Sequence, residues 1–248
     1  MKYKISIVSY LNSLPFVYGL ENYAEIKDSI ILSKDIPAEG AKKFKNNKSD
    51  IALVPVGALS DFGDYKIITD FCIGTQKQVD TVLLLTNKKL NDIDKIYLDY
   101  QSRTSVKLIK ILAKYFWEIN PIWINSDKKI DKEIKNINSA LIIGDRAFEY
   151  KKYFKYSYDL AAEWNKFTNL AFTFAVWVTK PNTDNTFIDK FNKALEFGVN
   201  NINNLLLPPN SSIDYKTFND YLKNKINYKL SSDKEAALKK YLDLSKTI

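Results

Sequence analysis

The residues best placed to do chemistry fall in four short segments, each where an apolar run gives way to polar residues. In SYLNSLPF (Ser9 to Phe16), Tyr10 supplies a phenol, Asn12 an amide and Ser13 a hydroxyl where a strand turns into a helix, a place suited to holding a polar ligand. The same residues also serve turn chemistry, since Asn and Ser cap helices and Pro15 suits a first turn. In YQSRTSV (Tyr100 to Val106), Ser102, Thr104 and Ser105 surround a helix start with Arg103 among them. Free N–H groups and the positive dipole end favour an anion there, and a guanidinium adds a charge-assisted bond. Three hydroxyls exceed what an N-cap requires, so this segment points to a carboxylate or phosphate.

In LIIGDRA (Leu141 to Ala147), Gly144 permits close backbone approach. Asp145 can cap a helix, contact a ligand or join Arg146 in a structural network. In the fourth segment, Tyr158 to Val178, Asp159 and Glu163 stand four apart, a spacing that places two carboxylates on one helical face for acid–base work, a cap or a solvated surface. Trp164, Phe172, Phe174 and Trp177 read as core, and Cys72, in an apolar run, as a small packed hydrophobe. No glycine-rich phosphate loop of the G-x-G-x-x-G or G-x-x-x-x-G-K-S/T type occurs.

What the chain lacks narrows the chemistry further. It has no histidine and one cysteine, which removes the Ser-His-Asp and Cys-His triads, the imidazole base, disulfides and the common zinc sites. No metal and no cofactor is expected. The formal charge of +8 raises nucleic acid as a partner, but only Arg103 and Arg146 among the 37 basic residues are arginine, and the lysines are dispersed in pairs such as Lys42-Lys43 and Lys151-Lys152. Neither nucleic acid nor a membrane is the expected partner. MKYKISIV resembles the start of an export signal, but Ser9, Asn12, Ser13 and Pro15 interrupt it, so residues 3–8 are read as the first buried strand of a cytoplasmic protein.

The elements that must position these groups follow an α/β rhythm with largely parallel strands. Strands are predicted at residues 4–9, 51–54, 66–68, 81–85, 95–98, 121–124, 140–143 and 172–178, with helices at 37–46, 104–118 and near Lys132. Val106, Ile109, Leu112, Ala113 and Phe116 give the 104–118 helix one apolar face. After Lys180 only helices are predicted, at 186–206, 215–225 and 232–244. Two apolar strands bracketing a middle strand–helix series suit two lobes, residues 1–86 plus 179–248 forming one and 87–178 the other, with a ligand in the cleft between them.

The ordered set SYLNSLPF, VPVGAL (Val54 to Leu59), CIG (Cys72 to Gly74), SRTSV, ALIIGDRA and YDLAAEW followed by LAFTFAVW resembles the chorismate dehydratase family of the futalosine route to menaquinone. It departs at Asn169 to Phe172, where the family usually has a Gly-Leu-Pro-Phe-like stretch, and at Gln76 to Gln78, where it tends to carry a small-residue turn. The resemblance implies a two-lobed α/β fold like the type II periplasmic binding proteins. It also implies a dicarboxylate substrate, chorismate, dehydrated to 3-[(1-carboxyvinyl)oxy]benzoate. On that reading Asn12 is the catalytic orienting amide, and Tyr10, Ser13, Thr81, Ser102, Arg103, Thr104, Ser105, Gly144 and Asp145 bind substrate. A solute-binding protein and the sibling 1,4-dihydroxy-6-naphthoate synthase, whose chemistry is associated with a histidine base, share the fold.

Overall fold

In the computed structural model, which describes residues 2–248, strand β1 (Tyr3–Val8) is buried over its last four residues and bonds in parallel to β2 (Ile30–Asp35) and β3 (Ile51–Pro55). Helices α1 (Leu14–Asn22) and α2 (Pro37–Lys45) connect these strands, each with proline in its first turn, where the missing N–H costs nothing. Strand β4 (Lys66–Thr75) lies beyond β3 in the chain, but β10 (Phe172–Thr179) inserts antiparallel between them. The short β11 (Asn227–Lys229) closes the edge, giving a six-stranded sheet in the order β11-β4-β10-β3-β1-β2.

The second sheet has five strands in the order β7-β6-β8-β5-β9. Its members are β5 (Val82–Thr86), β6 (Lys95–Leu98), β7 (Ile122–Asn125), β8 (Ser139–Ile143) and β9 (Tyr156–Asp159), and its helices are α3 (Thr104–Tyr115), α4 (Ile130–Glu133), α5 (Arg146–Tyr150) and α6 (Leu160–Thr168). The tail contributes α7 (Asn185–Asn200), α8 (Tyr215–Asp220), a π-helical turn (Tyr221–Lys225) and α9 (Ser232–Ser245) to the first lobe. Trp164 and Trp177 have no exposed surface, in keeping with their reading as core.

Several expectations change. Val82–Thr86 pairs only within the second sheet and Phe172–Thr179 only within the first, so the chain crosses between lobes at residues 76–81 and 169–171. This sheet membership moves the predicted lobe boundaries at 86/87 and 178/179 to those two crossings. The sheets are mixed: pairs joined by β-α-β crossovers are parallel, but β10 and β5 run antiparallel to both of their neighbours. The tail is not purely helical, since β11 lies in it, and the predicted 186–206 helix ends at Asn200. The helix after Arg103 stops at Tyr115 instead of residue 118, where Glu118 takes a positive φ of 54°.

The clamp that fixes the first site segment is a close helix crossing. A Cβ at Gly198 on α7 would lie 1.9 Å from the Pro15 carbonyl oxygen, and one at Gly19 on α1 would lie 2.0 Å from that of Ala194. Only glycine at both positions lets α7 touch the backbone of α1, which sets the entry of residues 10–14 into the cleft.

Candidate active site

Between the lobes lies a small cavity of about 60 Å³. It gathers Tyr10, Asn12, Thr81, Ser102, Arg103, Thr104, Ser105 and Gly144, residues from four separate stretches of chain. Val8, Ile73, Val79, Val82, Ile143 and Phe174 supply apolar walls. Phe174, read from sequence as core, thus faces the cavity. Cys72 packs as foreseen, and burial pushes its thiol up to about 12.

The lobe-one wall is a hydrogen-bonded set. The Asn12 amide donates to the Tyr221 hydroxyl at 3.3 Å and accepts from Ser13 Oγ at 3.2 Å, and the Tyr221 and Thr81 hydroxyls lie 2.8 Å apart. Ser13 is fully buried and does not line the cavity; it bears on Asn12. The Tyr10 hydroxyl crosses to lobe two and donates to the Gln101 side-chain oxygen. Its ring rests on Gly144, which has φ +71°, and a Cβ there would stand 2.7 Å from ring atoms. Glycine is required on both counts.

Behind Gln101, Tyr100 Oη accepts from Gln101 Nε2 at 2.8 Å and donates to Asp131 at 3.2 Å. Arg146 joins Asp131 to the buried Asp99, at 2.7 Å from the latter, and Asp99 accepts the backbone N–H groups of Gln101 and Ile143. Of the alternatives open for Asp145, the network with Arg146 does not form, because Asp145 turns the other way. Both of its carboxylate oxygens take the Leu11 N–H at 3.2 Å, and it borders a neighbouring surface hollow instead of the cavity. Burial pushes its carboxyl up to about 6, an effect that the Leu11 N–H opposes.

The lobe-two wall is the start of α3. Ser102 Oγ accepts the Ser105 N–H at 2.9 Å, the cap expected of a serine there. Thr104 Oγ accepts the Gly57 N–H at 3.0 Å and donates to the Phe174 carbonyl at 3.2 Å, so its hydroxyl ties the lobes together and is not free to bind. Arg103, half exposed, reaches Asp61 at 3.4 Å. The Ser105 hydroxyl has no hydrogen-bond partner among the described residues, and the first-turn N–H groups lack intrahelical acceptors by construction.

Asp159 and Glu163 form no acid–base pair. Asp159 caps α6 through Ala161 and Ala162 and also accepts the N–H groups of Val79 and Asp80. Glu163 is buried, contrary to a solvated face, and accepts from Trp117 Nε1 at 2.9 Å and Lys166 at 2.6 Å.

The family model described as menaquinone biosynthesis matches residues 3–247. The chain belongs to that family. Among solved structures it is similar to protein AF1704 from Archaeoglobus fulgidus, at 14% identity over 99% of this chain and 97% of that one, with a TM-score of 0.76. It is also similar to the Candida albicans CA3427 product, described as exhibiting the generic periplasmic binding protein fold, at 10% identity over 100% and 91% with a TM-score of 0.72. A third is the periplasmic aliphatic sulphonate binding protein SsuA from Escherichia coli, at 13% identity over 99% and 87% with a TM-score of 0.60. At such identities these likenesses show the periplasmic-binding-protein-like fold and no more.

In this member of the menaquinone biosynthesis family, both sequence departures fall on turns. Asn169 ends α6 at φ 58°, a left-handed cap that asparagine tolerates better than other side-chain-bearing residues. Gln76, Lys77 and Gln78 are exposed on the crossing to β5, where Thr75 Oγ donates to the Gln78 carbonyl at 2.7 Å. Among the described residues no helix is long and apolar enough to cross a membrane, and no three Cys, Asp or Glu side chains cluster as a metal site. Sequence reasoning missed Gln101, inside a segment it had chosen, and Tyr221, in a tail without motif.

Proposed function

We propose that this protein is a chorismate dehydratase, a hydro-lyase that converts chorismate to 3-[(1-carboxyvinyl)oxy]benzoate and water. The observation that carries the reading is the shared cavity. A fixed amide and hydroxyl, Asn12 and Thr81, face an unengaged hydroxyl and helix start at Ser105, between apolar walls. The family's role in menaquinone biosynthesis supports it.

In this reaction the C–H bond on the ether-bearing ring carbon and the C–O bond on its hydroxyl-bearing neighbour both break. The hydroxyl leaves with a proton as water, and the ring becomes aromatic. Aromatisation supplies the driving force, so the protein's task is chiefly orientation and charge stabilisation. Lacking histidine, the protein leaves the base role to one of the substrate's own carboxylates, whose basicity rises between apolar walls. Asn12 and Thr81 orient the reacting end, while Ser105 and the first turn of α3 hold a carboxylate. No cofactor enters the balance.

Incubating the protein with chorismate tests the reading. The cyclohexadiene absorbance should fall, and mass spectrometry should show an aromatic product lighter by one water. Chorismate bound tightly and recovered unchanged would move the assignment to a solute-binding protein.

A further inference from the structure

We propose that Tyr221, in the tail that carries no motif, is the positioning residue that aims Asn12 and Thr81 into the cavity. Its kinetic test rests on the dehydratase reading; its spectroscopic test does not. The Tyr221 ring is buried, and its hydroxyl touches two residues that line the cavity, 3.3 Å from Asn12 Nδ2 and 2.8 Å from Thr81 Oγ1.

Donor arithmetic gives this contact a direction. Asn12 Nδ2 can only donate, so the phenol oxygen accepts from it, and Thr81 Oγ1 is the one partner within the described residues that can take the phenol's own proton. That leaves the Thr81 O–H with a long 3.4 Å contact to the Val79 carbonyl as its sole acceptor within the described residues. Ser13 occupies Asn12 Oδ1, which fixes the amide's orientation and leaves its second N–H unspent. The chain Asn12 to Tyr221 to Thr81 therefore delivers two donors to one end of the cavity, suited to a departing hydroxyl or a carboxylate. Burial raises the phenol well above the usual tyrosine range, so it stays a neutral link and does not itself give up a proton.

The local fold shows how the ring is held. Tyr221 opens the π-helical turn after α8, a widened geometry that recurs at functional sites. Phe148 of lobe two meets the ring edge-on, with centroids 5.3 Å apart at 89°. Phenylalanine would satisfy that packing equally, so the hydroxyl is explained by its two partners alone.

Tyr221→Phe keeps the ring and removes only the hydroxyl. With chorismate, kcat should fall about 10- to 100-fold while KM stays within about twofold. The same change in an Asn12→Ala background should cost little more, as expected of residues acting as a unit. In the substrate-free protein, the side-chain amide resonance of Asn12, identified by its disappearance in Asn12→Ala, should shift and lose protection from hydrogen exchange in Tyr221→Phe. An unchanged Asn12 resonance, unchanged kcat or a purely additive double variant would overturn the proposal. Wild-type protein inert toward chorismate would defeat the dehydratase reading, and the amide resonance would still decide whether Tyr221 holds Asn12.

Discussion

On the lobe-one wall the polar groups facing the cavity are bonded to neighbours, Asn12 to Tyr221 and Ser13, Thr81 to Tyr221, and Tyr10 to Gln101. On the lobe-two wall, by contrast, Ser102 and Thr104 are spent on capping and lobe contact, and Ser105 is left with a free hydroxyl beside the helix dipole. A wall whose groups are locked before substrate arrives is built to orient, and orientation acts on kcat. A wall offering loose donors to an anion binds ground and transition states alike, and acts on KM. Substitutions on the two walls should therefore separate kinetically.

The largest effect should come from the locked wall. Asn12→Ala should lower turnover on the order of 100-fold, more than it weakens substrate binding, with an unaltered circular dichroism spectrum. A folded variant near wild-type turnover would remove Asn12 from the reacting end. Gly144→Ala strikes where the walls meet. The new methyl would stand 2.7 Å from Tyr10 ring atoms at a φ of +71°, so the urea midpoint should report a loss of about 1–3 kcal/mol together with reduced turnover. A midpoint equal to wild type would show that Tyr10 does not rest on Gly144 in solution, and the walls would then be uncoupled.

Asp145 offers a pH handle on the same junction. Its carboxyl is raised from 3.8 to about 6 in the folded protein, so the native state holds the proton more tightly than the unfolded chain. Its contribution to stability is then full below about pH 4 and is lost as pH rises through about 6. Asp145→Asn keeps an acceptor for the Leu11 N–H and removes the charge. Relative to this variant, wild type should lose on the order of 2 kcal/mol between pH 4 and 7. A pH-independent difference between the two unfolding free energies would contradict the buried, charge-penalised Asp145.

How legible these walls were in the sequence follows from where each signal lives. Strand-to-helix junctions carry local composition, so Tyr10, Asn12 and Ser102 to Ser105 could be chosen without a structure, and they do meet in one cavity. What each hydroxyl bonds is a long-range matter: Thr104 looked like a ligand group until Gly57 and Phe174 came beside it. Tyr221 lies 140 residues from Thr81 in a run of tyrosine, lysine and asparagine, so nothing local marks it. Edge strands escaped for a related reason. In β2 the burial pattern is broken and β11 has three residues, so neither presents the periodicity that betrays a strand. The antiparallel insertion of β10 is likewise a property of the sheet, invisible in the apolar run itself.

Ser105→Ala gives the smallest effect and the sharpest reading of the lobe-two wall. The hydroxyl bonds nothing within the described protein, whereas the Ser105 N–H is held by Ser102, so alanine leaves the cap of α3 in place. A structural serine would show itself as a lower melting temperature with kinetics intact. An anion-binding serine should leave stability unchanged and raise KM for chorismate about 2- to 10-fold at constant kcat, the loss of about 0.5–1.5 kcal/mol typical of one hydrogen bond. Because the positive end of the α3 dipole acts on the same anion, the increase should stay modest, and added salt should weaken binding in wild type and variant alike. A fall in kcat at constant KM would place Ser105 with Asn12 and Thr81 among the orienting groups, and the division of labour between the walls would fail.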